Sequence, residues 1–556
     1  MLLRHLALAL AVLSVTAPSA TAAPGELDPS FSSDGRVTTL TTAETFVPRA
    51  LAIQADGRIV VAGYSCDTGT CGPTGDSSFR LTRYTADGGL DTDFGAGGTV
   101  TTAVGAGRSQ AYDVVLEPDG SIVAGGVASI NASDTGSFAL VRYRPNGALD
   151  AGFGSGGKVI ERIGDGFDAI SDLVIQPGGG LIAVGQAEQS GATRFALARF
   201  GATGGLDPGF GSGGAVLAGS GSHAFGAAGA ALPDGRIVAV GASGASSDVS
   251  DYRFTIVRSG AQGTVEPPWT AAIGSSYSFA NAAAALGDGR VLAAGVATDA
   301  GGRAGMALVR LSAGGGLDPS WDGDGVALAR LGESAVGADL VLLPDGRAAA
   351  AGHVEDVDRV SFLVARFGSD GSLDRGFGAS GFAVTSFAGA TVARATAIAR
   401  QPDGRLLAAG LVCAGGSGAQ CSGGTARLAL ARYLAEAAPA GGAPAPTPPA
   451  AATPPALVGL PTLLRARRGR VRVRVRCLQA RTCRGVLSLR RLRSRGRTRL
   501  LASRTVTVRA RRSTTFTLKL QRGLGRDKRI RARLSFRGRD AFGTLRTITR
   551  TAQLRH

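Results

Sequence analysis

The chain has 556 residues, 44% of them hydrophobic, and a formal charge of +18. That charge divides sharply: residues 458–556 hold 31 Lys+Arg against 2 Asp+Glu, a formal +29, while the residues before them hold 29 against 40, a formal −11. Beyond an apolar run near the start, no stretch of about 20 apolar residues occurs, which argues against an integral membrane protein.

In residues 1–22, Arg4 and His5 precede an apolar run from Leu6 to Val15, and Ala20-Thr-Ala22 supplies small residues for cleavage. This is the pattern of a secretory signal, so a secreted or cell-surface location is expected.

From 25 to 434 one unit of about 60 residues is stated seven times. Each copy opens with an acid followed three residues later by an aromatic: Asp28 and Phe31, Asp91 and Phe94, Asp150 and Phe153, Asp207 and Phe210, Glu266 and Trp269, Asp318 and Trp321, Asp374 and Phe377. Two apolar runs follow, joined by a tight turn, as in Ala50 to Gly63; glycine recurs there at Gly57, Gly120, Gly235, Gly289, Gly346 and Gly404, with Gly178-Gly-Gly180 in the third unit. Asp-Gly between apolar runs signals a hairpin with a primed turn. Each copy closes on a short run carrying arginine: Arg83, Arg142, Arg199, Arg258, Arg310, Arg366 and Arg432. About four short strands per unit, apolar on both faces, predict an all-β fold: a seven-bladed β-propeller rather than a solenoid, whose end repeats would differ from its middle ones.

The pattern Gly-x-Leu-Asp-x-x-Phe-Gly-x-Gly-Gly, around Asp91 and in full at Gly147–Gly157, joins Gln-Pro-Asp-Gly-Arg at Gln401–Arg405 and Phe-Ala-Leu-x-Arg-Tyr at Phe138–Tyr143. Together these resemble the delta-60 repeat family of bacterial secreted, propeller-like proteins. The resemblance implies the fold and carries no catalytic motif.

The repeated acids are read as turn caps or as partners of the repeated arginines. Calcium is a second reading, at Asp322-Gly-Asp324 or Asp91-Thr-Asp93, although no loop has an EF-hand pattern. The arginines pair within or between repeats, or else ring the channel and attract anions. The repeated aromatics belong to the packing; a glycan site would draw on loop residues such as Tyr64, Tyr252 or Tyr277. His223 and His353 fall in no metal-type cluster, no Gly-x-Ser-x-Gly elbow occurs, and Gly154-Ser-Gly-Gly157 is a weak phosphate cradle because no helix follows. No cofactor is implied.

The six cysteines form local pairs by spacing: Cys66 and Cys71, Cys413 and Cys421, Cys477 and Cys483. Disulfides across each loop are expected; a link between the first and seventh units and a zinc site are the alternatives.

Residues 435–457 form a Pro/Ala-rich, extended spacer. Beyond it, 458–556 read as a small basic β-sandwich, with Cys477 and Cys483 pinning its first hairpin. Val471-Arg472-Val473-Arg474-Val475-Arg476 alternates strictly, setting apolar groups on one strand face and Arg472, Arg474 and Arg476 on the other. This part resembles the Arg-rich, Ig-like C-terminal modules of secreted actinobacterial proteins. Its guanidinium face suits envelope polyanions or acidic glycans. Export argues against chromosomal nucleic acid, and the chain's 57 arginines against 3 lysines also fit an ordinary solvated face.

These features predict a non-enzymatic binding or scaffold protein whose loops present a protein or glycan ligand. The alternative is an exported polysaccharide hydrolase or lyase, with paired carboxylates from different repeats around the channel.

Overall fold

The computed structural model describes residues 23–435, apart from 40–44, 67–75, 132, 220, 272 and 415–424, and the strands between 458 and 555. The expected signal and all but the first residue of the spacer lie outside the described residues. The chain divides into two compact units, Met1–Ala440 and Gly441–His556.

In the first unit each repeat supplies an antiparallel sheet. The first is Thr45–Ile53, Ile59–Cys66, Ser77–Tyr84 and Thr99–Thr102, paired in that order. The repeat as written in the sequence is out of phase with the sheet. The acid and aromatic that open one unit lie between the third and fourth strands of the sheet begun by the unit before. The motif at Asp28 therefore has no preceding sheet, and its strand Arg36–Thr38 pairs with Thr425–Tyr433 of the last one. The innermost strands pack against their neighbours in sequence, from Thr45–Ile53 through Ser109–Leu116 onward, and Val392–Arg400 packs back against Thr45–Ile53.

Each apolar cluster joins two successive sheets, so burial holds the sheets to one another. Phe79, Leu81 and Phe94 meet Ile122, Ala124 and Tyr143. Across the closure, Phe31, Ile59 and Tyr84 meet Leu407, Leu428 and Leu430. Second strands such as Ile59–Cys66 and Ile122–Ala128 are buried at every residue, as strands covered on both faces must be.

The Asp-Gly hairpins depart from the expected primed turn. Gly57 N–H donates to Gln54 O at 2.8 Å, and Gln54 N–H to Arg58 O at 2.8 Å. Gly57 has φ +88°, while Ala55 and Asp56 have no positive φ. This is a turn with a glycine bulge after it, a longer loop than the two-residue form. Asp56 Oδ1 accepts the N–H of Arg58, which is why the acid precedes the glycine.

Every innermost strand carries a second irregularity. One residue is skipped against the neighbouring strand, as Tyr112 is between Ala111 and Asp113 and Ala338 between Gly337 and Asp339. The opposing residue must then be glycine. A Cβ at Gly126 would collide with the carbonyl of Gln110, and one at Gly352 with that of Val336.

In the second unit Arg470–Cys477 pairs antiparallel with Ser513–Lys519, and Val471, Val473 and Val475 are buried while Arg472 is exposed. The alternation read from sequence is therefore present; the side chains of Arg474 and Arg476 lie outside the described residues. The expected hairpin pinned by Cys477 and Cys483 does not form: Cys483–Leu492 pairs instead with Thr498–Val508 and Arg529–Arg539. Val471, Val473 and Val475 take their partner from Ser513–Lys519, where Leu518 is also buried.

Gly126→Ala is expected to destabilise the protein by about 1–3 kcal/mol or more through overpacking. Gly205→Ala, with open space around its Cβ, is expected to be nearly neutral. Chemical denaturation of the two variants checks the contrast.

Candidate functional site

The repeated charges form a belt on one face. Arg83 and Asp91, Arg142 and Asp150, Arg199 and Asp207, Arg310 and Asp318, Arg366 and Asp374, and Arg432 and Asp28 all meet at 2.8 Å; Arg258 and Glu266 meet at 2.9 Å. Six of these guanidinium groups also lie over the repeated aromatic, from 4.5 Å for Arg83 over Phe94 to 5.0 Å for Arg199 over Phe210. Each arginine then donates to a backbone carbonyl of the next sheet: Arg142 to Ala202 at 2.7 Å, Arg199 to Ala261 at 2.8 Å, and Arg432 to Ala86 at 2.7 Å. The arginines are therefore not a ring of free cations around the channel. Each of the six aspartates also caps its own turn, as Asp318 Oδ1 does for Ser320 N–H at 3.1 Å. The Ser320 hydroxyl first, then this bond and the neighbouring arginines, outweigh burial and hold the Asp318 carboxyl at about 2.

The fifth unit shows what the cap requires. Pro268 stands two residues after Glu266 and has no N–H to donate. Trp269 enters a strand, Trp269–Ala271, and is only half-buried.

The centre of the unit holds three carboxyls that sequence reasoning missed. Asp113, Asp172 and Asp339 occupy the same register, immediately after the skipped residue of their innermost strands; alanine stands there in the other repeats. All three are half-buried, and among the described residues none has an ion-pair partner. Each reaches the next sheet: Asp113 Oδ2 accepts Leu173 N–H at 2.8 Å, Asp172 Oδ2 accepts Gly229 N–H at 2.6 Å, and Asp339 Oδ2 accepts Ile398 N–H at 2.8 Å. Burial raises all three, and the Asp113 charge pushes Asp172 up further. Asp339, pushed up to about 7 by burial with Asp113 adding repulsion, senses the pair from the far side of the ring. The signal in the sequence was an acid inside an apolar run, seven residues before the turn glycine.

The two faces of the ring differ. One carries the belt together with the short glycine turns, Asp-Gly in all units but the third, tied to it by Arg58 to Asp91 at 2.8 Å and Arg290 to Asp318 at 3.2 Å. The other is built from the connections between second and third strands, two residues long at 190–191 and eight at 129–136 and 245–252. Loops entering the innermost strands lie beside them, as Ala106 N–H to Ser129 O at 2.9 Å shows. Ile130, Val249 and Val357 are exposed on this face, Val357 by 80%.

Tyr64, Tyr252 and Tyr277 lie toward this same face, each against another ring: Tyr112, Phe225 and Phe279. Cys66 and Cys413 end the second strands of the first and last sheets there and are not free thiols; Cys71 and Cys421 lie outside the described residues. His353 is buried, its Nε2 accepts from Arg394 at 3.0 Å, and its pKa is held down to about 3 by burial and that cation. His223 begins an innermost strand. Among the described residues no three His, Cys, Asp or Glu side chains converge as a metal site needs.

Five segments, 54–94, 117–153, 176–210, 286–320 and 343–377, match a family model described as a domain of unknown function (DUF5122) beta-propeller. The first unit is thus made of propeller-type repeats. The divergent stretch with Glu266 and Trp269 falls outside the match. No curated protein matches the chain. Among solved structures it is similar to a protein of unknown function from Dyadobacter fermentans, at 14% identity over 72% of this chain and 98% of that one, TM-score 0.38. It is also similar to the PQQ-bound aldose sugar dehydrogenase of Streptomyces coelicolor, at 17% identity over 44% and 72%, TM-score 0.27. A third is from the GH130 family of mannoside phosphorylases, which contains glycoside hydrolases that target beta-1,2 mannosidic linkages in Candida mannan, at 13% identity over 54% and 96%, TM-score 0.23.

Asp318→Asn leaves the buried Arg310 without its anion and is expected to cost about 3–5 kcal/mol in chemical denaturation, against less than about 1 kcal/mol for Glu266→Gln, whose carboxylate is half exposed. Asp339 predicts a pH dependence. Its folded pKa, about 7, lies above the ordinary 3.8, so the folded state binds the extra proton between these values. The stability this carboxyl contributes is complete below about pH 4 and is lost as pH rises to 7. Asp339→Asn mimics the protonated form. Its stability relative to the parent is expected to climb from pH 4 to 7 and then level, by roughly 1–2 kcal/mol after discounting for solvent screening; a difference in melting temperature independent of pH would refute the assignment.

Proposed function

We propose that this is an exported, non-enzymatic binding or scaffold protein: a closed seven-bladed propeller that presents a ligand on its variable-loop face, followed by a small basic β-sandwich that associates with envelope polyanions. The observation that carries this reading is the asymmetry of the two faces. One face spends its repeated acids, arginines and aromatics on internal contacts. The other varies in loop length from repeat to repeat and exposes Ile130, Val249 and Val357, the arrangement expected where a rigid scaffold carries binding loops. The exposed Arg472, on a strand whose valines are buried, supports the polyanion role of 458–556. Local disulfides at Cys66 with Cys71 and Cys413 with Cys421 would brace the two loops beside the closure, in keeping with export.

The second reading, a polysaccharide hydrolase or lyase, draws on Asp113 and Asp172, paired carboxyls from neighbouring sheets. A glycosidase needs its two carboxyls about 5–9.5 Å apart, with the scissile bond between them. Each takes a backbone N–H of the next sheet, and burial raises both carboxyls. They bind sheet to sheet, and binding without turnover is the better reading.

Co-sedimentation of the full chain with purified envelope at low and high salt tests it. Arg472→Gln, Arg474→Gln and Arg476→Gln together are expected to remove a salt-sensitive share of binding. Ile130→Asp, Val249→Asp and Val357→Asp together should remove a salt-resistant share, with no reducing sugar released by any form. Release of sugar that ends with Asp172→Asn would instead establish the enzyme.

A further inference from the structure

Arg49 and Arg108 stand out among the arginines of the first two repeats. Arg49 is the residue skipped between Pro48 and Ala50 in the first innermost strand, and Arg108 leads into the second. Both are half-buried, and among the described residues neither has a carboxylate partner, although the part of the chain before residue 458 is acidic, with 40 Asp+Glu to 29 Lys+Arg.

The Arg49 guanidinium sits 5.6 Å from the ring of Tyr64 and 5.4 Å from that of Tyr112, and donates to Tyr64 Oη at 3.3 Å. Its Nε is buried and, among the described residues, has no hydrogen-bond partner. Arg108 donates to Gln110 Oε1 at 3.2 Å and to Tyr112 Oη at 3.2 Å, while Tyr112 Oη donates to Gln110 Oε1 at 2.7 Å. Among the described residues two cations therefore share one tyrosine with no anion between them, which is unfavourable unless an anion is supplied. A guanidinium with its faces against rings still offers its edge, and that edge matches a carboxylate.

We propose that Arg49, Arg108, Tyr64 and Tyr112 form a binding site for a carboxylate-bearing sugar, a uronate unit of an acidic glycan. The site lies toward the variable-loop face, so the inference rests on the binding function above and gives it a ligand class. Asp113 directly follows Tyr112, and burial raises its carboxyl and that of Asp172. Carboxyls there disfavour a dianion such as phosphate. They suit a singly charged ligand whose other groups are hydroxyls, and the tyrosines offer such a sugar both ring and hydroxyl.

Isothermal titration calorimetry tests this at physiological salt. The full chain is used, with Arg472→Gln, Arg474→Gln and Arg476→Gln in every sample so that the basic unit contributes equally little. The probes are trigalacturonate, its methyl ester and inorganic phosphate. Trigalacturonate is expected to bind one to one, and the ester and phosphate at least about 10-fold more weakly. Arg49→Gln and Arg108→Gln should each weaken trigalacturonate about 10-fold or more, and Tyr112→Phe by less. Neither arginine has an anion among the described residues, so its loss should lower the melting temperature only slightly, which separates lost contact from lost fold; Arg108, in a loop, is the safer variant. Equal binding by parent and both arginine variants overturns the site, as does the absence of trigalacturonate binding. Phosphate binding as tightly as trigalacturonate overturns the sugar assignment. Trigalacturonate binding that survives the Ile130, Val249 and Val357 substitutions while envelope binding is lost keeps this site and the loop-face reading distinct. Failure of envelope binding in the parent chain, with trigalacturonate binding intact, sinks the anchoring role alone.

Discussion

One guanidinium per repeat does three things at once in the first unit. It neutralises an acid eight residues later in its own sheet, lies over the aromatic three residues beyond that acid, and donates to a carbonyl of the next sheet. At Arg432 the same geometry joins the last repeat to Asp28, Phe31 and Ala86 at the start of the chain. Burying a charge is favourable only when its partner and hydrogen bonds are supplied together. The acid, the aromatic and the arginine therefore recur as a set, and the fifth repeat, where Pro268 removes the capped N–H, loses the stacking and the burial with it.

The apolar clusters follow from this belt. With sheets locked edge to edge on one face, second strands have no solvated side, which is why Ile59 to Cys66 and Leu181 to Val184 read as unbroken runs of buried residues. Small side chains then become a geometric need. The innermost strands converge, each skips a residue, and the glycine opposite the skip leaves room for a carbonyl.

Periodic features were readable in the sequence, and single features were not. Seven acids at one register, seven arginines at another and the valine alternation at Val471 to Val475 each announce themselves by repetition, and all are found in contacts consistent with that spacing. The phase was not readable, because a motif that opens a unit in the sequence can complete the previous sheet in space. Nor was the turn type: Asp-Gly is compatible with two hairpin loops, and hydrogen bonding by Gln54 selects between them. Asp113, Asp172 and Asp339 escaped because they occur in three repeats out of seven, inside runs otherwise apolar. Arg49 escaped because an arginine beside a proline gives no hint that the backbone skips it inward. The hairpin expected between Cys477 and Cys483 failed for a related reason: nearness in sequence says nothing about which strand will cover an apolar face.

Strand Arg36–Thr38 has a consequence in time. Its partner, Thr425–Tyr433, is made nearly 400 residues later, an interval of roughly 20–80 s at usual rates of synthesis. Through that interval the first strand of the repeat region waits without a neighbour, its Asp28 without Arg432 and its Phe31 without the leucines of the last sheet. The oldest and youngest parts of the repeat region must meet before either is satisfied. A chain cut short anywhere before Tyr433 thus keeps two open sheet edges rather than a smaller finished ring, and marks itself as incomplete.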